Sequence, residues 1–149
     1  MWTCPRCRHK FVHKNQSHSC GNYTVGDFLR GRPRKAVDLF HYFIKQYRKI
    51  GPFRLDPVKT RVALLTLIRF CAINRIGEDY IDVHFVLTEP HDTGGRFRRV
   101  ENLGNRFYIH HLRIRQKTDI DGEVLKCMRL AYRIGKRGHI AGIGKRTAG

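Results

Sequence analysis

The chain has 149 residues, of which 30 are Lys or Arg and 12 are Asp or Glu, giving a formal net charge of +18 at pH 7. Hydrophobic residues at 41% and aromatics at 11% suffice for a core, which excludes a wholly disordered basic tail. The longest apolar run, Val62 to Ile68, is broken by Thr66 and falls far short of the roughly 20 residues that span a bilayer.

Residues 1–22 hold Cys4, Cys7 and Cys20 together with Arg6, Arg8, Lys10 and Lys14, and no acid. With so little aliphatic material the segment needs a staple to fold. An odd total of five cysteines, crowded at one end, is no disulfide framework and fits a reducing, cytoplasmic setting. The absence of an apolar leader points the same way. Cys71 and Cys127 sit singly in apolar surroundings and read as small buried hydrophobes.

Cys4-Pro5-Arg6-Cys7 is a C-x2-C knuckle, and His18-Ser19-Cys20 follows after a spacer. Cys4, Cys7, His18 and Cys20 can close a tetrahedron around one Zn²⁺, at about 2.3 Å for sulfur and 2.0 Å for nitrogen. The nearby cations lower the thiol pKa values. His13 and His9 compete for the fourth place; Cys4, Cys7, His13 and His18 would form a Cys2His2 set but strand Cys20, the stronger ligand, beside the metal. A tetrahedron filled by protein leaves no site for water, so the zinc is expected to be structural.

Residues 23–32 form a connector. Ala36, Val37, Phe40, Phe43, Ile44, Tyr47 and Ile50 recur at helical spacing after Pro33 and stop at Gly51-Pro52, predicting an amphipathic helix over 33–50. Arg61 to Ile73 is rich in strand formers, and residues 74–79 read as a turn. The alternation of Ile81, Val83, Phe85 and Leu87 is the cleanest strand signal. A loop over 89–95, a short strand over 96–100 and a strong strand over 107–115 follow. Thr118 is expected to cap a final helix, with Asp119, Asp121 and Glu123 in its first turn, ending at Gly135. The result is an α+β domain over 33–134, a mainly antiparallel sheet with helices on one face, preceded by the zinc knuckle and followed by a basic glycine-rich tail over 135–149.

Trp2-Thr3-Cys4-Pro5-Arg6-Cys7, Phe11 and Asn15-Gln16-Ser17-His18-Ser19-Cys20 resemble an uncharacterised bacterial family, the domain of unknown function 5655. The resemblance continues through Tyr23-Thr24-Val25, Pro57-Val58-Lys59-Thr60-Arg61, Phe97-Arg98-Arg99-Val100 and His110-His111-Leu112-Arg113, covering about residues 2–134. It implies an α+β domain behind a zinc knuckle, with His18 and Cys20 rather than His13 completing the metal set. It implies no particular activity.

Residues 96–117 carry seven cations against Glu101 alone. Alternation along 107–115 sends Tyr108, His110, Leu112 and Ile114 to one face, and Phe107, Ile109, His111, Arg113 and Arg115 to the other. Arginine beside an aromatic accepts phosphate by its fork and a base by stacking. Arg98, Arg99, Arg106, Arg113, Arg115, Lys136, Arg137, Lys145 and Arg146 are the expected phosphate contacts of a nucleic-acid binder, RNA favoured over DNA because no recognition-helix pattern is evident. No helix combines a basic face with an exposed apolar one, so a membrane partner is not expected.

Two alternatives stand beside this reading. One is an enzyme or ligand module for an anionic small molecule, using His110 or His111 with Lys59 and Arg61. His110 and His111 point to opposite faces and cannot act as a dyad, but one of them can pair with His84 or His41. The other is an adaptor that docks an acidic protein through the knuckle. No nucleophile, metalloprotease or phosphate-loop motif is visible.

Overall fold

A computed structural model describes residues 1–6, 8, 10–11, 14, 23–91 and 95–137 of the chain. Near the N-terminus, β1 (Trp2–Thr3) and β2 (Lys10–Phe11) pair antiparallel, Trp2 opposite Phe11. The segment expected to be a connector contains a short helix, α1 (Val25–Leu29). It begins in a capping box: the Thr24 hydroxyl accepts from the Asp27 N–H, and the Asp27 carboxylate accepts from the Thr24 N–H, each at 3.0 Å. Two otherwise orphaned donors are thereby satisfied.

The expected long helix is α2 (Arg34–Ile50). Ala36, Leu39, Phe40, Phe43, Ile44 and Tyr47 are buried, the spacing that puts one stripe of a 3.6-residue helix against a core. Six strands follow: β3 (Arg54–Pro57), β4 (Val62–Leu65), β5 (Arg69–Ile76), β6 (Ile81–Leu87), β7 (Arg99–Leu103) and β8 (Phe107–Ile114). They form one sheet in the order β3-β4-β5-β6-β8-β7, with every pair antiparallel. After a 3-10 turn at Lys117–Asp119, α3 (Gly122–Gly135) closes the domain. The architecture is the expected α+β one.

Several expectations are corrected in detail. The single stretch over 61–73 is a hairpin of two strands, and residues 74–76 continue β5 instead of turning. Strand β3 lies where the sequence carries no strand signal. The short strand expected at 96–100 begins at Arg99 and runs to Leu103. Thr118 does not cap the last helix. Asp121 does, its Oδ1 accepting from the Val124 N–H at 3.0 Å, because residues 117–119 are taken by the 3-10 turn that precedes it.

Helices α2 and α3 pack on β5 and β6, on the face that carries Ile81, Val83, Phe85 and Leu87. Phe43, Tyr47, Phe70 and Phe85 meet there in tilted and edge-on contacts with centroids 5.4–6.5 Å apart, and burying each such ring contributes roughly 2–3 kcal/mol. The Tyr47 hydroxyl, inside this cluster, donates to the Met128 carbonyl at 2.8 Å, so the one polar atom of a buried ring is satisfied and the two helices are joined. Cys71 and Cys127 are buried in the same core, and burial pushes both thiols up in pKa.

The β4–β5 turn has an unusual support. The N–H groups of Leu67 and Ile68 both donate to the Gly135 carbonyl, at 3.0 and 3.1 Å. Gly135 lies so close to Phe70 that a β-carbon there would collide with its ring. The end of α3 thus seats directly on the hairpin.

Candidate functional site

The opposite face of the sheet bears no helix from α2 or α3, and its strand register determines what it presents. His84 of β6 stands opposite His111 of β8, and His111 stands opposite Arg99 of β7. Directly paired residues of an antiparallel sheet project to the same face, so the three side chains form a row across it. One step along, Asp82 stands opposite Arg113. Between β5 and β6 the register shifts between Ile73 and Arg75, and this bulge turns Asn74 toward the row. Bulges re-aim side chains in this way.

A cleft of about 770 Å³ opens over the row, lined by Arg61, Asn74, His84, Arg98, Arg99 and His111 among others. The Asn74 amide lies 2.8 Å from His84 Nδ1. Donation from that amide leaves the imidazole proton on Nε2. Burial, with the charges of His111 and Arg61 acting in the same direction, lowers the His84 pKa to about 4, so it is a neutral donor at neutral pH.

His111 is held differently. Its Nε2 donates to Glu101 Oε1, and Arg99 Nη2 reaches the same oxygen at 2.9 Å. The hydrogen bond from His111 is the main reason that the Glu101 carboxyl titrates below its ordinary value. The rings of His84 and His111 meet edge-on with centroids 5.8 Å apart. Of the histidine pairings the sequence offered, this one forms.

Arg113 is committed to structure. Its Nε and Nη2 donate to the two oxygens of Asp82 at 2.8 and 3.1 Å, and its guanidinium lies 3.8 Å above the Tyr80 ring. That fork is the main cause of its raised pKa. Arg98 is exposed and reaches Asp82 only at 4.0 Å.

His110 faces the core and is fully buried. Its Nε2 accepts from the His91 N–H at 2.9 Å, and its Nδ1 is 3.0 Å from the Tyr108 carbonyl. Both nitrogens are satisfied in the neutral form, and burial lowers its pKa. Lys59, exposed, borders a separate depression with Arg32, Arg75 and Tyr80. Of the four residues expected around an anion, Arg61 and His111 therefore share the cleft, while Lys59 and His110 lie elsewhere.

The expected phosphate contacts are spread more widely. Arg98 and Arg99 line the cleft. Arg106 is exposed in the β7–β8 turn, where Gly104 and Asn105 take φ of 63° and 59°. Arg115 is exposed just beyond β8, and Lys136 sits beyond α3 with its ammonium 5.4 Å from the Tyr132 ring. Arg137 is half-buried. Lys145 and Arg146 lie outside the described residues.

Of the expected zinc ligands, Cys4 alone lies among the described residues; Cys7, His18 and Cys20, like the competitors His9 and His13, lie outside them. Cys4 is buried against Leu65 beside Trp2, and its carbonyl accepts from the Arg8 N–H at 2.7 Å. Among the described residues no three metal-binding side chains gather as a site, and no helix is long and apolar enough to cross a membrane.

The family model for the domain of unknown function DUF5655 matches residues 25–135. The chain belongs to the DUF5655 family. Every residue that lines the cleft lies inside the matched segment of this DUF5655 chain, whereas the Trp2-to-Cys7 and Asn15-to-Cys20 motifs precede it, so the match begins later than the resemblance at about residue 2. No curated protein and no solved structure matches the chain.

Asn74, Asp82 and Glu101 are polar cleft residues that the sequence places in no site, whereas His84 enters there as a partner for His110 or His111. His84 was visible as a polar position in an alternating strand. Asn74 was hidden in what read as a turn, and Glu101 passed as a lone acid among cations.

Proposed function

We propose that this protein binds nucleic acid, RNA in preference to DNA, through phosphate contacts and without catalysis. Continuity of charge is the observation that carries the reading. Arg115 lies 5.6 Å from the Tyr80 ring and also borders, with Lys35, Lys45 and Lys117, a groove of about 560 Å³ beside α2. Tyr80 carries Arg113, whose partner Asp82 belongs to the cleft of Arg61, Arg98 and Arg99. A phosphodiester chain laid along this line meets cations at both ends, the positively charged track that holds single strands without reading sequence. A charge of +18 opposes the compact state by self-repulsion, which a polyanion relieves.

In this reading Lys136, Arg137, Lys145 and Arg146 extend the contact surface, and Cys4, Cys7, His18 and Cys20 hold one structural Zn²⁺ that orders the N-terminal segment. Burial of Cys4 at 3% exposure suits a metal-bound thiolate shielded from oxidants. The reduced thiols fit the cytoplasm.

Fluorescence anisotropy with RNA and DNA single strands of equal length, at increasing KCl, tests the reading. The affinity for RNA is expected to exceed that for DNA, and log K to fall linearly with log salt by about 0.7 per phosphate neutralised. A flat dependence on salt is incompatible with counterion release and overturns the proposal.

A further inference from the structure

The cleft has a more specific chemistry than the surface around it. Its two carboxylates are already paired: Asp82 with the fork of Arg113, and Glu101 with Arg99, which shares its oxygen with the hydrogen bond from His111. Among the described residues Arg61 makes no ion pair, and Arg98 makes only the 4.0 Å contact to Asp82. Two positive charges are left at one place, with a neutral N–H on His84 beside them.

We propose that the cleft between β5, β6, β8 and β7 is a binding site for a phosphomonoester dianion, whether carried by a nucleotide or by the end of an RNA strand. Arg61 and Arg98 supply the matching charge, and the guanidinium fork suits two phosphate oxygens at once. His84 Nε2–H donates to a third oxygen. Asn74 fixes the tautomer that makes this possible, and is a positioning residue. A phosphodiester has one charge where the site has a complement for two, so a chain terminus is preferred over the chain interior.

The inference goes beyond nucleic-acid binding, since it holds for a free nucleotide as well. It also predicts a proton linkage. The groups that face His84 are Arg61, Asn74, Asp82, His111 and Glu101. A bound dianion adds negative charge among them and raises the affinity of His84 for a proton, which Nδ1 can take only if the Asn74 amide turns its oxygen toward the ring.

Calorimetric titration of the intact protein with inorganic phosphate tests the site, with adenosine monophosphate and 5′-phosphorylated and 5′-hydroxyl RNA as further probes. Saturable binding of one phosphate per chain is expected, weakened about tenfold by Arg61→Gln and by Arg98→Gln, the loss of one charged hydrogen bond, and unchanged by Lys49→Gln on α2. Asn74→Ala should reduce affinity with its pH dependence altered. If adenosine monophosphate binds and the two RNAs do not differ, the ligand is the free nucleotide; if only the phosphorylated RNA gains, it is the strand end. No saturable phosphate binding, or equal binding by wild type and both arginine variants, overturns the proposal. RNA that binds with a salt slope but no phosphate response would sink the cleft alone, and phosphate that binds without RNA would sink only the nucleic-acid reading.

Discussion

Arg113 rests on the Tyr80 ring at 3.8 Å while both ends of its fork hold Asp82. A guanidinium used in this way is not available to a phosphate. Arg113→Lys, which cannot fork or stack equally well, should lower stability by about 1 kcal/mol with little effect on the salt dependence of RNA binding. Arg98→Ala should do the reverse, reducing the slope of log K on log salt by about 0.7 with unchanged melting. Paired denaturation and anisotropy measurements separate the two.

The buried His84 makes the fold sensitive to acid. Its folded pKa is about 4, against 6.5 for an unperturbed imidazole. Above pH 6.5 both folded and unfolded chains keep it neutral, and it costs nothing. Between pH 6.5 and about 4 the unfolded chain takes up a proton that the folded chain refuses, so stability falls with pH, by up to about 3 kcal/mol at the lower end. Urea midpoints across that range should decline for the wild type and decline less for His84→Gln. His110, also lowered, leaves a residual slope of the same sign. A variant with the full wild-type slope would show that another group is responsible.

Asp121 caps α3 through Val124 and pairs with Arg96 Nε at 2.7 Å. Asp121→Ala should cost about 1–2 kcal/mol, and Asp121→Asn much less, because the amide oxygen still caps. Thr118→Ala, at the position expected from sequence to cap the helix, should cost less than Asp121→Ala. Thermal unfolding of the three variants checks the order.

Replacing a helical glycine by alanine ordinarily stabilises by up to about 1 kcal/mol. At Gly135 the sign should invert, since the added methyl collides with Phe70 and comes within 2.9 Å of Thr66 Oγ1. Gly135→Ala is expected to lose about 2 kcal/mol, read as a fall in the denaturant midpoint.

The proposed zinc site and the domain should be separable. Chelation, or Cys4→Ser, should release one Zn²⁺ per chain and raise amide exchange in residues 1–11, with α2, α3 and β5, β6 and β8 still protected. Loss of protection throughout would make the metal a support of the whole fold.

What could be read from sequence followed from periodicity. Helix α2 and strand β6 announce themselves by spacing, and alternation in β8 already separated His110 from His111. What could not be read depended on partners distant in the chain. Leu67 and Ile68 carry no turn signal because their N–H groups are satisfied by Gly135, so β4 and β5 looked like one strand. Strand β3 is only four residues long and has no β-branched residue, and Pro57 within it argues against a strand; it is held at the sheet edge by pairing with β4. The Thr24–Asp27 capping box was present in sequence, but the five-residue helix it starts is too short to show a period. The cleft needed the register: only the pairing of His84 with His111 and of His111 with Arg99, and the bulge beside Asn74, bring those side chains to one place.

The seat of the Leu67–Ile68 turn on Gly135 also sets an order of assembly on the ribosome. Two amides of the β4–β5 turn have their acceptor at the end of α3, so that turn lacks its seat until residue 135 has left the exit tunnel. Until then β4 and β5 lack that support, and their apolar side chains stay in need of shielding.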